Sequence, residues 1–341
     1  MMNERNYAID LLRVWCMFFI VAGHFSPSFL LSEKSLSLNV LGTGAVDLFV
    51  LITGFFGIRK ESVIRHYLSI YFAVVFYNFL MTALFYVFTA KATELDFIRA
   101  LWPLGCHKMG YWFVTKYLGL LLLAPFINLL IERMNGRTFF LFWCVLIFLN
   151  TTWFAGFPPG NLYGGPWTLM WFFCLYVTGR GIHALCALEK ISRNKNFWLA
   201  LVLFGYVMML FLWRRNWHWM DLGYNSLPVF FVACVVFFLV TTLRWKSGKL
   251  FSWITHSVFA VYLIHSQFFF YSYLQSVLAD FFLKYLGNAM LAWMAMSSTV
   301  FVGCVVFDQI RLCLFQVLRI NSLIDFISRL CTEKILLWIR A

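Results

Sequence analysis

The sequence predicts an all-α integral membrane protein with about ten transmembrane helices and both termini in the cytoplasm. Three observations lead to this class. Of the 341 residues, 62% are hydrophobic and only 12% are charged, whereas a soluble domain carries about 25% charged residues. The apolar residues fall into runs close to the roughly 20 residues that a spanning helix needs. The positive charges are distributed unevenly between the short loops that join these runs.

Ten apolar runs, separated by charged or Pro/Gly-rich breaks, predict the spanning helices in order. They cover about 8–27, 40–58, 67–89, 112–132, 138–156, 167–187, 197–213, 227–243, 251–273 and 289–310. We therefore predict one membrane domain over residues 1–318 and a cytoplasmic or interfacial tail over residues 319–341. Within this tail, Ile335–Ile339 is expected to lie along the membrane surface. The charges at the start of the first run favour a retained helix over a signal peptide.

The net charge of +13 is chiefly a topology signal. With the N-terminus inside, the inner segments hold eighteen Lys and Arg residues and the outer segments seven, as the positive-inside rule requires. We therefore expect the cell's inner (cytoplasmic) membrane as the location, the bilayer as a partner and no nucleic acid. The nine cysteines show no CxxC or Cys/His spacing, which predicts small apolar side chains and no metal site.

Ionisable side chains inside the spans are candidates for a functional site, because placing charge in lipid costs a few kcal/mol. In the first span, His24 follows Arg13 by eleven positions, with ten residues between them. This is three helical turns plus about 20°, so both side chains leave one face, with Cα atoms about 16 Å apart. Asp10 shares that face and would orient the guanidinium as an ion pair. The alternative is that Arg13 and His24 only reach the inner and outer interfaces, and spacing alone leaves both interpretations open.

The second span places Asp47 in its outer third, near the depth of His24. An aspartate that accepts a hydrogen bond from one imidazole nitrogen leaves the other nitrogen basic, as a general base requires. Asp47 is therefore a candidate catalytic partner of His24, although the sequence does not tell whether the two face each other. The glycines in and around this span predict close packing on a neighbouring helix. They are Gly42, Gly44, Gly54 and Gly57.

Three further ionisable residues lie near the ends of spans. Asp308 and His256 fall near cytoplasmic ends, where side chains that reach the interface are the simpler interpretation. Lys116 lies near the outer end of its span, and membrane anchoring and acceptor binding are equally compatible with its position.

Five ordered segments resemble the membrane acyltransferase-three family. The first helix YAIDLLRVWCMFFIVAGH has the family's arginine, ten residues and histidine, and GAVDLFVLITGFF follows as the second helix. The later matches are YWFVTKYLGLLLLAPFIN (111–128), WFFCLYVTGRGI (171–182) and SVFAVYLIHSQFFF (257–270). Two departures are Thr53 where serine is usual and Ser266 where a proline follows the late histidine. The arginine–histidine pair alone is weak, whereas five segments in order are specific.

The resemblance implies an O-acyltransferase that moves an acyl group, expected to be acetyl, from cytoplasmic acyl-coenzyme A. The acceptor would be a hydroxyl of an extracytoplasmic or lipid-linked glycan, such as an exopolysaccharide. His24 would be the catalytic histidine, acting as a general base or as a transient acyl carrier. Arg13 would hold the donor, while Arg59, Lys60 and Arg65 would neutralise its phosphates. Acyl-coenzyme A is a substrate here, and no permanently bound cofactor is expected.

Several side chains are candidates for stabilising the oxyanion or contacting the acceptor. They are Thr53, Tyr262, His265, Lys116 and Trp112. Aromatic residues of the outer loops, including Trp167 and Tyr224, would either stack on sugar rings or form an interfacial belt. An alternative function of another class is transport: the protein would be a transporter or flippase of lipid-linked sugar or acyl donor, without acyl transfer. Ten helices with ionisable side chains inside the membrane would suit that function. Such transporters often show inverted repeats and matched helix breaks, and the sequence shows neither.

Overall fold

The computed structural model describes residues 6–29, 42, 44–58, 62–89, 93–102, 111–151, 167–186, 195–214, 223–243 and 249–340. These residues form thirteen α-helices and a short 3-10 helix (Ser26–Phe29) that follows α1, which confirms the all-α prediction for the described part of the chain. The α-helices are α1 (Tyr7–Phe25), α2 (Ala45–Phe56), α3 (Val63–Thr89), α4 (Glu94–Ala100), α5 (Trp112–Glu132), α6 (Gly136–Asn150), α7 (Leu169–Cys186), α8 (Lys195–Arg214), α9 (Leu227–Thr242), α10 (Lys249–His265), α11 (Phe268–Leu286), α12 (Ala289–Val317) and α13 (Ile320–Arg340).

Ten of these helices correspond to the ten predicted spans. Among the described residues, α1, α3, α5, α7 and α12 are long and apolar enough to cross a membrane. Shorter apolar helices lie in α2, α6, α8, α9 and α10. The apolar helices indicate a membrane protein. The tenfold crossing and the cytoplasmic placement of both termini stay predictions.

The ninth predicted span, 251–273, is wrong as a single helix. α10 ends at His265 and α11 begins at Phe268. The side-chain oxygen of Gln267 accepts a hydrogen bond from the backbone N–H of Phe270 (3.1 Å) and so caps the start of α11. Hydropathy does not detect this break, because a capping contact leaves the apolar character of the run unchanged.

α2 packs very closely against α7. A Cβ atom at Gly54 would collide with the backbone of Tyr176, and one at Gly179 would collide with the backbone of Leu51 and Phe55. Only glycine allows the two backbones to approach this far. The expectation of close packing is therefore confirmed at Gly54, and α2 becomes a fixed support for the side chains of its other faces.

α1 lies at the centre of the bundle and contacts α2, α9, α10 and α12. Its last turn is held by two hydrogen bonds to backbone carbonyls. The Trp293 indole N–H donates to the carbonyl of Ala22 (2.7 Å), and the Tyr271 hydroxyl donates to the carbonyl of His24 (2.8 Å). Because an indole on α12 and a phenol on α11 hold this turn, the side chain of His24 projects from a fixed backbone.

The predicted boundary between domain and tail, at residues 318 and 319, falls at a break between helices. α12 ends at Val317 and α13 begins at Ile320, with Arg319 in a left-handed conformation (φ 51°) between them. The tail is thus a helix, tied to α3 by an ion pair between Arg65 Nε and Asp325 Oδ1 (2.6 Å).

Candidate active site

The ends of α1 and α10 bring together two histidines that are far apart in the sequence. His24 Nδ1 lies 3.0 Å from His265 Nε2. On the other side of the second ring, His265 Nδ1 lies 2.6 Å from the carbonyl oxygen of Val261. The His265 ring is fully buried, whereas His24 is partly exposed. The two imidazoles and the carbonyl therefore form one chain of hydrogen bonds.

The direction of this chain follows from its last member. A carbonyl oxygen can only accept, so His265 Nδ1 carries the hydrogen, and in a neutral ring its Nε2 is then an acceptor. His24 Nδ1 must consequently be the donor to His265. Because Nδ1 of His24 carries the hydrogen, its free lone pair lies on Nε2. A general base or nucleophile requires such a lone pair, and the His24 ring is the partly exposed one of the two.

Asp47 has a different partner from the one considered in the sequence. Its carboxylate is fully buried, and Oδ1 accepts a hydrogen bond from the Trp171 indole N–H (3.0 Å). Asp47 Oδ2 has no hydrogen bond to the residues that the structure describes. The carboxylate lies in the first turn of α2, where the helix dipole favours negative charge. In the structure, His265 takes the position next to His24, and Asp47 joins α2 to α7.

The ion pair expected at the inner end of α1 is present. Arg13 Nη1 donates to Asp10 Oδ1 at 3.0 Å. The guanidinium also lies 5.7 Å from the centre of the Phe56 ring, at the end of α2. The Arg13 side chain is 36% exposed, and its other nitrogens make no hydrogen bond within the described part of the chain. Arg13 therefore keeps N–H groups for a ligand.

Thr53 is occupied by two hydrogen bonds. Its hydroxyl donates to the carbonyl of Phe49 (3.0 Å), so the hydroxyl of Tyr117, 3.1 Å away, must be the donor in their shared bond. A role for Thr53 in stabilising an oxyanion would require the bond to Phe49 to break. The geometry instead shows Thr53 as a contact between α2 and α5.

Aromatic rings lead from Tyr117 to the histidine pair. Tyr117 stacks on Phe113 (ring centroids 5.5 Å apart), and Phe113 lies 5.8 Å from Tyr262. Tyr262 in turn lies 6.2 Å from His265. We call Tyr117, Phe113 and Tyr262 the aromatic row. Because Tyr117 also shares a hydrogen bond with Thr53, the row extends from Thr53 on α2 to His265 on α10.

The remaining candidates are not all brought to this site. Arg65 is 53% exposed and is engaged by Asp325, while Arg59 and Lys60 lie outside the described residues. Lys116 is partly exposed. Trp112 belongs to a separate outer cluster with Trp167 and Tyr224. The Trp112 and Trp167 ring centroids are 4.3 Å apart, and those of Trp167 and Tyr224 are 5.0 Å apart.

The sequence missed several side chains that organise the site. Tyr117 bonds to Thr53, Trp171 bonds to Asp47, and Tyr271 and Trp293 hold the last turn of α1. With 15 Trp and 15 Tyr in a chain rich in aromatic residues, composition gives no reason to select these four. The four-residue spacing of Tyr117 from Phe113, which puts both rings on one helical face, was the only available signal.

One of three comparisons with known proteins finds a match. The model of the acyltransferase-three family, described as an acyltransferase domain, matches residues 6–308. This span includes both histidines, Arg13 and the aromatic row. Searches of curated proteins and of solved structures give no match. A family match over this much of the chain extends the five-segment resemblance to nearly the whole helical bundle, and the protein belongs to the acyltransferase-three family.

Proposed function

We propose that the protein transfers an acetyl group from cytoplasmic acetyl-coenzyme A to a hydroxyl of an extracytoplasmic or lipid-linked glycan. The observation that carries this proposal is the bond between His24 Nδ1 and His265 Nε2. It holds the His24 ring with its Nε2 lone pair outward, on a side chain that remains partly exposed. Family membership supports acyl transfer in general, and the identity of the acyl group and of the acceptor is our inference.

The donor would enter from the side of Arg13. A guanidinium binds phosphate through two parallel N–H groups, and only one nitrogen of Arg13 is used by Asp10. From there the hydroxyl groups of Thr53 and Tyr117 and the aromatic row lead towards His265. A thin pantetheine arm with amide and apolar groups suits such a mixed lining. In this geometry Arg13 binds the phosphates while the thioester reaches His24.

The reaction then needs one proton acceptor. His24 Nε2 takes the proton of the acceptor hydroxyl as its oxygen attacks the thioester carbonyl carbon. The C–S bond breaks, and the departing thiolate takes the proton from His24, which yields the ester and free coenzyme A. During this step, Nε2 of His265 accepts from the Nδ1–H of His24 and stabilises its positive charge. In the alternative, His24 Nε2 attacks the thioester carbonyl carbon and the C–S bond breaks, which releases coenzyme A as the thiolate. The acetyl group then passes from Nε2 to the oxygen of the acceptor hydroxyl, and the proton of that hydroxyl goes to the thiolate.

The acceptor would approach from the opposite, outer side. Trp112, Trp167 and Tyr224 form the outer aromatic cluster, and the Trp167 side chain is 48% exposed. Aromatic faces stack on the apolar faces of sugars, so the cluster suits a glycan chain. We propose that it places the glycan hydroxyl next to His24, in a protein of the cell's inner membrane.

The test uses purified protein in detergent and acetyl-coenzyme A labelled in the acetyl group. Transfer of label to isolated surface glycan and slow thioester hydrolysis are both measured. We expect His24→Ala to lower both rates by about 10²- to 10⁴-fold while acetyl-coenzyme A still binds. His265→Ala should lower kcat less, and His265→Gln, whose amide oxygen can accept the Nδ1–H bond, should restore part of that loss.

The same proteins in proteoliposomes separate the enzyme from a transporter. Movement of lipid-linked sugar that survives His24→Ala, without any acyl transfer by the parent protein, would refute the proposed function. An equal kcat in His265→Ala and the parent would refute the role given to the histidine pair. Thermal unfolding in detergent serves as the control that each variant is folded.

A further inference from the structure

A second guanidinium, that of Arg180, lies at the end of α2. Gly57, which follows α2, has a φ of +66°, and a Cβ atom placed there would lie 2.8 Å from Arg180 Nη1. The preceding residue, Phe56, carries the ring that faces Arg13. The side chains of Arg13 on α1 and Arg180 on α7 therefore approach two consecutive residues, and a side chain at position 57 would obstruct Arg180.

Arg180 is unsatisfied within the described part of the chain. None of its nitrogens makes a hydrogen bond or ion pair there, and its Nε is buried. Three residues further along α7, His183 packs against Phe55 (ring centroids 5.1 Å apart), and its buried Nδ1 makes no hydrogen bond to a described residue. Leaving a buried donor such as the Arg180 Nε–H unpaired costs about 1 to 3 kcal/mol, and the unpaired Nδ1 of His183 lies on the same helix face, so the two together point to a missing ligand.

Capping of α2 does not account for Arg180. A cation at the C-terminus of a helix interacts favourably with its last carbonyls. Here, the carbonyls of Thr53 and Gly54 accept from the N–H of Gly57 (3.0 and 3.1 Å), and the carbonyl of Ile58 accepts from Asn128 (3.0 Å). These acceptors already have partners, and Arg180 bonds to none of them.

The support of Arg180 is rigid. The backbone N–H of Ile58 donates to the Tyr176 hydroxyl (3.1 Å), and that hydroxyl donates to Asn128 Oδ1 (2.9 Å). Asn128 closes the ring through its bond to the carbonyl of Ile58. One turn away, the contact between Gly54 and Gly179 joins the two helices. Side chains held in this way bind a ligand without a large cost in conformational entropy.

We propose that Arg180, with His183, forms a second phosphate-binding site for the acyl-coenzyme A donor, next to Gly57 at the end of α2. This inference rests on the proposed function. Coenzyme A carries several phosphate charges, and Arg65, a cation first expected to bind them, is paired with Asp325. Two guanidiniums that flank Phe56 and Gly57 can divide these charges, whereas Arg13 alone can bind one phosphate group bidentately.

The test compares donors with and without phosphates in the full-length protein in detergent. Calorimetry measures the Kd of coenzyme A, and kcat/KM is measured for acetyl-coenzyme A and for S-acetylpantetheine. We expect Arg180→Gln to weaken coenzyme A binding about tenfold or more and to leave kcat/KM for S-acetylpantetheine near the parental value. Arg180→Lys keeps the charge but loses the planar fork, so its Kd for coenzyme A should lie between those of the parent and Arg180→Gln. The control is Arg133→Gln, an exposed arginine just after α5, which should match the parent.

The outcomes separate this site from the proposed function. Equal Kd values for coenzyme A in Arg180→Gln and the parent overturn the Arg180 site and leave the acyltransfer proposal intact. If Arg180→Gln lowers kcat/KM equally for acetyl-coenzyme A and S-acetylpantetheine, Arg180 has a structural role, and the site is also overturned. A parent protein that binds no coenzyme A overturns both proposals. If Arg180→Gln does not fold, Arg180→Lys decides, because an unchanged Kd in that variant contradicts bidentate phosphate binding.

Discussion

Of the three Asp-x-x-Arg pairs in the chain, two lie in long apolar helices and look alike in the sequence, Asp10/Arg13 in α1 and Asp308/Arg311 in α12, whereas Asp96/Arg99 lies in the short α4. Both place a carboxylate three residues before a guanidinium on one helical face, and both form an ion pair. In α12, the carboxylate is fully buried and accepts from Arg311 at both oxygens (2.6 and 3.1 Å). Tyr77 of α3 donates a third hydrogen bond to it. In α1, Arg13 bonds to Asp10 through Nη1 at 3.0 Å, and the Arg13 side chain is 36% exposed.

This difference separates a structural ion pair from a binding group. The guanidinium of Arg311 is only 13% exposed and lies near the rings of Tyr77 and Phe315. Arg311 and Tyr77 both donate hydrogen bonds to the Asp308 carboxylate, so the α12 pair joins α3 to α12. Few hydrogen-bonding groups of this pair are then available to a ligand. Among the described residues, Arg13 bonds only to Asp10, and its other N–H groups make no hydrogen bond. The interpretation of Asp308 as a side chain at the interface is therefore wrong, because its carboxylate is enclosed by Tyr77 and Arg311.

We call Asp308/Arg311 the closed pair and Asp10/Arg13 the open pair. The largest expected effect is the loss of stability when the closed pair is broken. Asp308→Ala leaves Arg311 as an uncompensated buried charge, which typically costs about 3 to 5 kcal/mol in free energy of unfolding. Thermal and denaturant unfolding in detergent measure this loss. The matched variant Asp10→Ala should lose less, since Arg13 is solvated in part. Equal losses in the two variants would contradict the distinction between a closed and an open pair.

A smaller effect, on binding, is expected from the open pair. Arg13→Gln removes a charge-assisted hydrogen bond to the donor phosphates, which should raise the Kd of coenzyme A about tenfold or more. His24→Ala should change that Kd much less, because His24 acts at the thioester. Calorimetry on both variants measures this difference. Unchanged donor affinity in Arg13→Gln would refute its assignment to the donor.

The smallest expected effect comes from removing a single hydrogen bond from the closed pair. Tyr77→Phe removes one hydrogen bond to Asp308 and leaves both bonds from Arg311 in place. Because Asp308 stays bonded to Arg311, we expect a loss of only about 0.5 to 1.5 kcal/mol in the free energy of unfolding and no change in the Kd of coenzyme A. Unfolding curves and calorimetry on the same preparation test both statements. A weakened donor Kd in this variant would connect the α12 pair to the binding site.

Much of the fold could be predicted because its signals are local. Apolar runs of spanning length predicted ten helices, and each has a counterpart among the described helices. The spacing of Asp10 from Arg13 predicted their ion pair, since three residues along a helix bring side chains together whatever surrounds them. The ninth span failed as a single helix because the cap by Gln267 is a hydrogen bond between specific atoms, and hydropathy contains no information about it.

The sequence by itself determined the membrane class, the order of the helices, the positions of Arg13 and His24 on one helix, and the family resemblance. Only the tertiary structure decided which of the two Asp-x-x-Arg pairs is closed, that His265 is the partner of His24, and that Arg180 lies beside the end of α2. The physical reason is distance along the chain. His24 and His265 are 241 residues apart and Tyr77 and Asp308 are 231 apart, so packing of several helices creates each contact. Periodicity within a single helix cannot specify a hydrogen bond to another.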